Sequence, residues 1–157
     1  MEWQSIFPLI QGVYMIFRYF TDGSVRRNGD SGSWAWFEKT TKESEIGYCK
    51  TYTTSMRMEM FALQYAMEHA LSHVYEDDHV HIHSDCKQII TLLNDAIDSI
   101  YNGEDFSIDR RDNDLWAELL STALLLERSC LLELRWIRRD KNTVAHDLSR
   151  HQSIVYA

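Results

Sequence analysis

Apolar and polar positions change period several times along the chain, and each change marks an element. Val13–Thr21 is dense in Val, Tyr, Ile and Phe and predicts a strand ending at the turn-forming triplet Asp22-Gly23-Ser24. Ser33–Glu38 alternates and predicts a second strand, and Glu45–Lys50 a third. The short polar connections between them favour an antiparallel meander. Over Met56–Tyr75 the period becomes helical, with Glu59, Ala62/Leu63, Ala66 and Ala70 on one face. His79–Ser84 is a short alternating strand that stops at Asp85. Helical pattern returns over Lys87–Leu93, with a second short helix to Tyr101. A polar, charge-rich loop, Asn102–Asp114, precedes a helix over Leu115–Ser129, a strand over Leu131–Ile137 and a last helix from Asn142. This order predicts an α/β domain with a mixed sheet, in which the first and fourth strands are parallel.

Length and composition narrow the class. At 157 residues, 45% hydrophobic and 12% aromatic, with six Gly and one Pro, the chain is expected to be one domain with its own core. Three cysteines without a CxxC spacing argue against a disulfide framework or zinc knuckle and for a reducing, cytoplasmic compartment. The apolar stretch near the N-terminus lacks a basic flank and is broken by Pro8, Gln11 and Gly12, so no secretion or membrane span is expected. Residues 1–12 are read as an N-terminal extension. The net charge of −8 speaks against non-specific coating of nucleic acid, yet allows a local site.

That acidity has a pattern. Asp22 and Asp85 each fall at the carboxyl end of an apolar strand, where open α/β sheets bind ligands. Glu59 lies on the apolar stripe of the first helix, an expensive place for a carboxylate unless something there requires charge. Taken singly, these residues read as a turn residue, a helix N-cap and a first-turn dipole partner. Taken together, without Lys or Arg partners, they point to a site for hard cations such as Mg²⁺ or Mn²⁺.

The runs YFTDGSVRRNG, MRMEMFALQYAMEHAL, VHIHSDCKQI and WIRRDKNTVAHDLSR follow in the order of type 1 ribonuclease H, and NDLW lies at its expected place. The chain resembles that family over about residues 14–153. The resemblance implies a ribonuclease H-like fold with a five-stranded mixed sheet whose first three strands are antiparallel. It also implies hydrolysis of the RNA strand of RNA–DNA hybrids with two divalent ions, Mg²⁺ or Mn²⁺. Asp22, Glu59 and Asp85 stand at the first three metal-binding positions, and Asn28 at that of a substrate-contacting Asn. Ser24, Ser55, Lys87 and Arg139 complete the candidate substrate contacts.

The chain also departs from that pattern. His146 occupies the register of the fourth metal-binding Asp, while Asp147 lies one residue on, about 100° around the helix. Imidazole in that place favours Mn²⁺ over Mg²⁺. Only Ile137–Lys141 separates Trp136 from Asn142, so a Gly/His loop found in many members is absent, and Arg139 to His146 looks like the reverse-transcriptase-like subgroup. Ser55 and Met56 replace an Asn pair and Lys87 a Gln, and the basic handle is replaced by an acidic loop with only Arg110 and Arg111 positive. Hybrid binding that is weak, or aided by a protein partner, is therefore expected. His79, His81 and His83 share one strand face and are read as lining it rather than as ligands, with His83 near the site. Met56, Met58, Met60 and Met67 are read as core, and Trp34 and Trp36 as sheet packing. Two other readings stay open: a binding module with weakened or lost catalysis, and a two-metal nuclease for another nucleic acid.

Overall fold

A computed structural model describes residues 13–106 and 111–155, with side chains to residue 150. The strands are β1 (Ile16–Val25), β2 (Gly32–Glu38), β3 (Ser44–Cys49), β4 (His79–Ser84) and β5 (Leu131–Trp136). The helices are α1 (Ser55–Leu71), α2 (Lys87–Tyr101), α3 (Asn113–Ser129) and α4 (Thr143–Val155), with a 3-10 turn at Arg139–Lys141. The sheet order is β3-β2-β1-β4-β5. β1, β2 and β3 are antiparallel neighbours, and β4 runs parallel to both β1 and β5. The expected five-stranded mixed sheet is thus present. Residues 1–12, read as an N-terminal extension, and Arg110 lie outside the described residues.

Several boundaries differ from expectation, and one difference matters for function. β1 does not turn at Asp22-Gly23-Ser24; it continues to Val25, pairing Asp22 with Ala35 and Gly23 with Trp34. Pairing with β4 stops at Thr21, so Asp22 is the first β1 residue beyond the parallel ladder while still held by β2. Gly23 is there for close approach: a Cβ on it would lie 2.4 Å from the Met58 carbonyl carbon. The actual turn lies further on, where Gly29 adopts φ 75° and Gly29 N–H donates to the Arg26 carbonyl at 2.9 Å. α2 is one continuous helix rather than two, and α3 begins two residues before the expected start.

α1 is set down on the sheet by its residue sizes. Thr54 caps it by accepting from Arg57 N–H, and Ala62, Ala66 and Ala70 repeat at four-residue spacing, all fully buried. Small side chains there let the helix lie close while Met58, Met60, Leu63 and Met67 fill the space beside it. Tyr19, Trp36, Val80 and Ile82 from the sheet and Ile89, Leu93, Leu119 and Leu126 from α2 and α3 join the same core. Trp34 stacks on Tyr65 at 4.2 Å, so both tryptophans pack as expected. α4 covers β1, β2 and β3 from the other side. His83 stacks on Phe20 at 4.5 Å and its Nδ1 meets the Tyr19 carbonyl at 3.0 Å.

The β2–β3 turn is organised by one buried carboxylate. Glu38 Oε2 accepts from Arg18 N–H at 2.7 Å and Thr40 N–H at 2.9 Å, and Oε1 from Thr41 N–H and Oγ1 at 2.7 and 2.9 Å. Burial pushes its pKa up, but these four donors outweigh that and hold it below the usual glutamate range.

Two outcomes follow for stability. Gly23→Ala forces α1 off the sheet and should cost about 1–3 kcal/mol in urea denaturation. Glu38→Gln places an amide against N–H donors and should cost about 1.5–3 kcal/mol at neutral pH. Because the folded pKa is lowered, this contribution is present above the ordinary glutamate range and lost as pH falls through the folded value. The gap between wild type and Glu38→Gln should therefore narrow in acid; a gap independent of pH would contradict the assignment.

Candidate active site

Three elements deliver the three carboxylates to one end of the sheet. β1 brings Asp22, α1 brings Glu59, and the junction of β4 with α2 brings Asp85. One oxygen from each lies within 4.8 Å of the other two. Glu59 is the fifth residue of α1, one residue deeper than expected because the helix starts at Ser55, and is only 6% exposed between the buried Met58 and Met60. It is thus no first-turn dipole partner. Nor is Asp85 a helix cap, since Cys86 holds that place and its N–H donates to Ser84 Oγ at 3.0 Å.

The electrostatics are those of carboxylates short of counter-charge. Asp22 Oδ1, Glu59 Oε2 and Asp85 Oδ2 are all buried, with no hydrogen-bond partner among the described residues. Burial first, then the charge of Asp22, pushes Glu59 well above the usual glutamate range. Burial and Asp22 likewise raise Asp85, against smaller opposing effects of Arg139 and Asn142. Among the described residues, the guanidinium of Arg139 comes up to the cluster, its Nε 3.9 Å from Asp85 Oδ2. Buried polar atoms are normally satisfied, so three bare oxygens converging here are an unusual cost for the fold. Oxygen donors of this kind suit Mg²⁺ or Mn²⁺.

α4 closes the site from the other face. His146 Nδ1 lies 3.1 Å from Asp22 Oδ2, and Ser149 Oγ donates to the same oxygen at 3.1 Å. Between His146, expected as the fourth ligand, and Asp147, it is His146 that meets the cluster, while Asp147 is exposed. Ser149 was not anticipated; its place three residues after His146, on the same helix face, was the available signal. Asn142 was likewise passed over as a mere helix start. Its Nδ2 donates to the Thr21 carbonyl at 2.8 Å, while its buried Oδ1 has no partner among the described residues. It joins α4 to β1 at the residue before Asp22.

The candidate substrate contacts scatter around this centre. Asn28 is exposed in the β1–β2 loop and turned onto Asp30, with Nδ2 3.1 Å from Oδ2. Ser24 Oγ is 3.1 Å from Ser33 Oγ and donates to the Ser149 carbonyl at 3.4 Å. Ser55 and Lys87 are the first residues of α1 and α2, and the Lys87 ammonium sits 5.5 Å above the Trp136 ring. Trp136 Nε1 in turn donates to the Asp85 carbonyl at 3.2 Å.

The sequence profile of the RNase H family matches residues 15–146. The chain belongs to the RNase H family. No curated protein matches it significantly in sequence. Among solved structures, the chain is similar to the N-terminal RNase H domain of Rv2228c from Mycobacterium tuberculosis, at 14% identity and a TM-score of 0.68, covering 90% of this chain and 95% of that one. It is similar to RNase H1 of the archaeon Halobacterium salinarum, at 19% identity and a TM-score of 0.65, covering 90% and 99%. It is also similar to LC11-RNase H1 in complex with an RNA/DNA hybrid, at 19% identity and a TM-score of 0.64, covering 88% and 99%. A foamy viral protease-reverse transcriptase in complex with dsDNA aligns at 18% identity and a TM-score of 0.67, covering 88% and 94%. These likenesses establish the RNase H fold; the family match establishes membership in a family of hydrolytic, generally divalent-metal-dependent nucleases.

The raised Glu59 pKa makes a measurable statement about this RNase H domain without metal. The folded state holds a proton that the unfolded chain releases, so stability should fall as pH rises from the ordinary glutamate range towards the raised folded value. In EDTA, Glu59→Gln should flatten that fall in urea denaturation at successive pH values. An unchanged pH slope would show that Glu59 is ionised in the apo fold.

Proposed function

We propose that this RNase H domain is an endoribonuclease that hydrolyses the RNA strand of RNA–DNA hybrids. The observation that carries the reading is the set of three bare, buried oxygens of Asp22, Glu59 and Asp85 within 4.8 Å. These residues, with His146, would hold Mg²⁺ or Mn²⁺ as two ions, supplying Lewis acidity to the scissile phosphate and to the attacking water.

The chain's own residues prepare that chemistry. Ser149 fixes the rotation of the Asp22 carboxylate by occupying Oδ2, which leaves Oδ1 turned to the cluster. A carboxylate only accepts, so the proton between His146 and Asp22 rides on Nδ1, and Nε2 keeps its lone pair for a ligand. Arg139, two-thirds exposed beside Asp85, offers positive charge to a phosphate. Lys87, over Trp136 at the start of α2, offers a second such charge two residues after Asp85. In this reading the exposed Asn28 amide turns from Asp30 to sugar hydroxyls across the wide minor groove of a hybrid. Hybrid grip built from so few cations is weak, and its salt dependence shallow, because few counterions are released.

The decisive measurement is cleavage of labelled hybrid, duplex RNA and duplex DNA in Mg²⁺ and in Mn²⁺. Hybrid cut in its RNA strand is expected, with Asp22→Asn slower by about 100-fold or more, which is about 2.7 kcal/mol. His146 should make Mn²⁺ the better ion, and His146→Asp should shift the preference towards Mg²⁺. Cleavage untouched by Asp22→Asn would overturn the site, and no cleavage of any substrate would favour a binding module.

A further inference from the structure

α1 continues past the carboxylates, and ten residues beyond Glu59, about 15 Å along the axis, it presents a second cluster. His69 lies in its last turn and His73 two residues past its end, their rings stacked with centroids 4.1 Å apart. Glu43, from the turn between β2 and β3, meets them with Oε2 2.6 Å from His69 Nε2. One donor atom from each of the three lies within 4.8 Å of the others. They open onto a cleft of about 670 Å³ whose wall also carries Glu45 and Glu68.

The histidines are already held by their second nitrogens. His73 Nδ1 faces the His69 carbonyl at 2.7 Å; a carbonyl only accepts, so the proton is on Nδ1 and Nε2 presents a lone pair. His69 Nδ1 faces the buried Tyr19 hydroxyl at 2.6 Å. A cation taking the place of the proton between His69 Nε2 and Glu43 would leave Nδ1–H donating to Tyr19. Ligating histidines are commonly oriented in this way, by a carbonyl or another polar group on the far nitrogen.

We propose that Glu43, His69 and His73 form a binding site for a first-row transition metal, Zn²⁺ by its donor set, separate from the carboxylate cluster and opposite to it in selectivity. Two imidazoles and one carboxylate suit Zn²⁺ and leave a fourth position for water. They suit Mg²⁺ poorly, because it requires an octahedron of oxygens. Donors bound at about 2.0–2.2 Å span no more than about 4 Å across a cation. The 4.8 Å set therefore closes by a small rotation of Glu43 and His73, both of which are exposed. Glu45 and Glu68 add negative potential at the mouth. Bound there, the metal would fasten the β2–β3 turn to the C-terminal half of α1 and stabilise the fold.

The test uses the untagged full chain carrying Asp22→Asn and Asp85→Asn, so that the carboxylate cluster cannot compete, with ZnCl₂ and MgCl₂ added separately. Calorimetric titration should find one Zn²⁺ per chain, with a rise in Tm that grows with Zn²⁺ concentration and no such rise with Mg²⁺. Adding His73→Ala or Glu43→Gln should weaken Zn²⁺ binding by about tenfold or more. Wild type in saturating Mg²⁺, titrated with Zn²⁺, gives the same readout should the double variant fail to fold. Absence of Zn²⁺ binding, or binding unaffected by both ligand variants, would overturn the proposal and leave a hydrogen-bonded relay from Tyr19 to Glu43. Cleavage is not read, so the outcome stands apart from that of the nuclease assay.

Discussion

Asp22, Glu59 and Asp85 repel one another, and the structure depends on holding them together all the same. Two unit charges about 4 Å apart cost about 1 kcal/mol in water and about 4 kcal/mol at the effective dielectric of a protein surface. Against this stands the apolar face of α1. Met58, Met60, Leu63 and Met67 are essentially inaccessible to solvent, and each contributes about 1.5–3 kcal/mol by leaving water. Packing on that scale can hold Glu59 where its charge is unwelcome. It does so only because Gly23 lets the helix backbone touch the strand at that level. The repulsion is relieved in part by protonation, the sense of the raised Glu59 and Asp85 pKa values, and bound cations would relieve it more fully.

The opposite face of the sheet decides which oxygens stay bare. α4 offers Asp22 a hydroxyl and an imidazole rather than a guanidinium or ammonium, and both go to Oδ2. A lysine or arginine in either place would neutralise the cluster and remove its affinity for cations. The Asn142 amide anchors the start of α4 to the Thr21 carbonyl, so the helix that carries His146 and Ser149 is indexed to the residue beside Asp22. Fixed positive charge is kept to the rim at Arg139, where it can meet a phosphate without collapsing onto Asp85.

Periodicity made most of this legible in the chain. The two-residue alternation of Ser33–Glu38 and His79–Ser84 and the helical stripe of Ala62, Ala66 and Ala70 correspond to β2, β4 and α1. Each carboxylate alone had an ordinary structural reading; the three could be picked out because together, on those element ends and without Lys or Arg partners, they point to one site. Asp-Gly-Ser misled as a turn because its conformation is set by two partners remote in sequence, β2 and α1. Local composition cannot show that a glycine is needed for contact rather than for bending. Ser149 and Asn142 escaped notice for a related reason: short polar residues on a helix are ordinary until the helix is seen to cross Asp22. The Glu43, His69 and His73 cluster was invisible because one member lies on a turn 26 residues from the next.

Donor chemistry gives the two clusters of α1 different standing towards metals. The N-terminal one is built from oxygens, and discrimination there against Zn²⁺ is weak, because borderline cations bind carboxylates as well as hard ones do. His146 weakens it further by adding a nitrogen donor to the set. The C-terminal cluster has two imidazoles among three donors, and affinity at such a site rises steeply from Mn²⁺ to Zn²⁺. Zn²⁺ at low concentration would therefore fill Glu43, His69 and His73 first, while Mg²⁺ or Mn²⁺ in excess would be left the carboxylates. α1 contributes one residue to each cluster, Glu59 and His69, ten residues apart, and that spacing of about 15 Å keeps the clusters too far apart to share an ion. The same helix that buries Glu59 would thus also separate a metal suited to phosphate chemistry from one suited to fastening a turn.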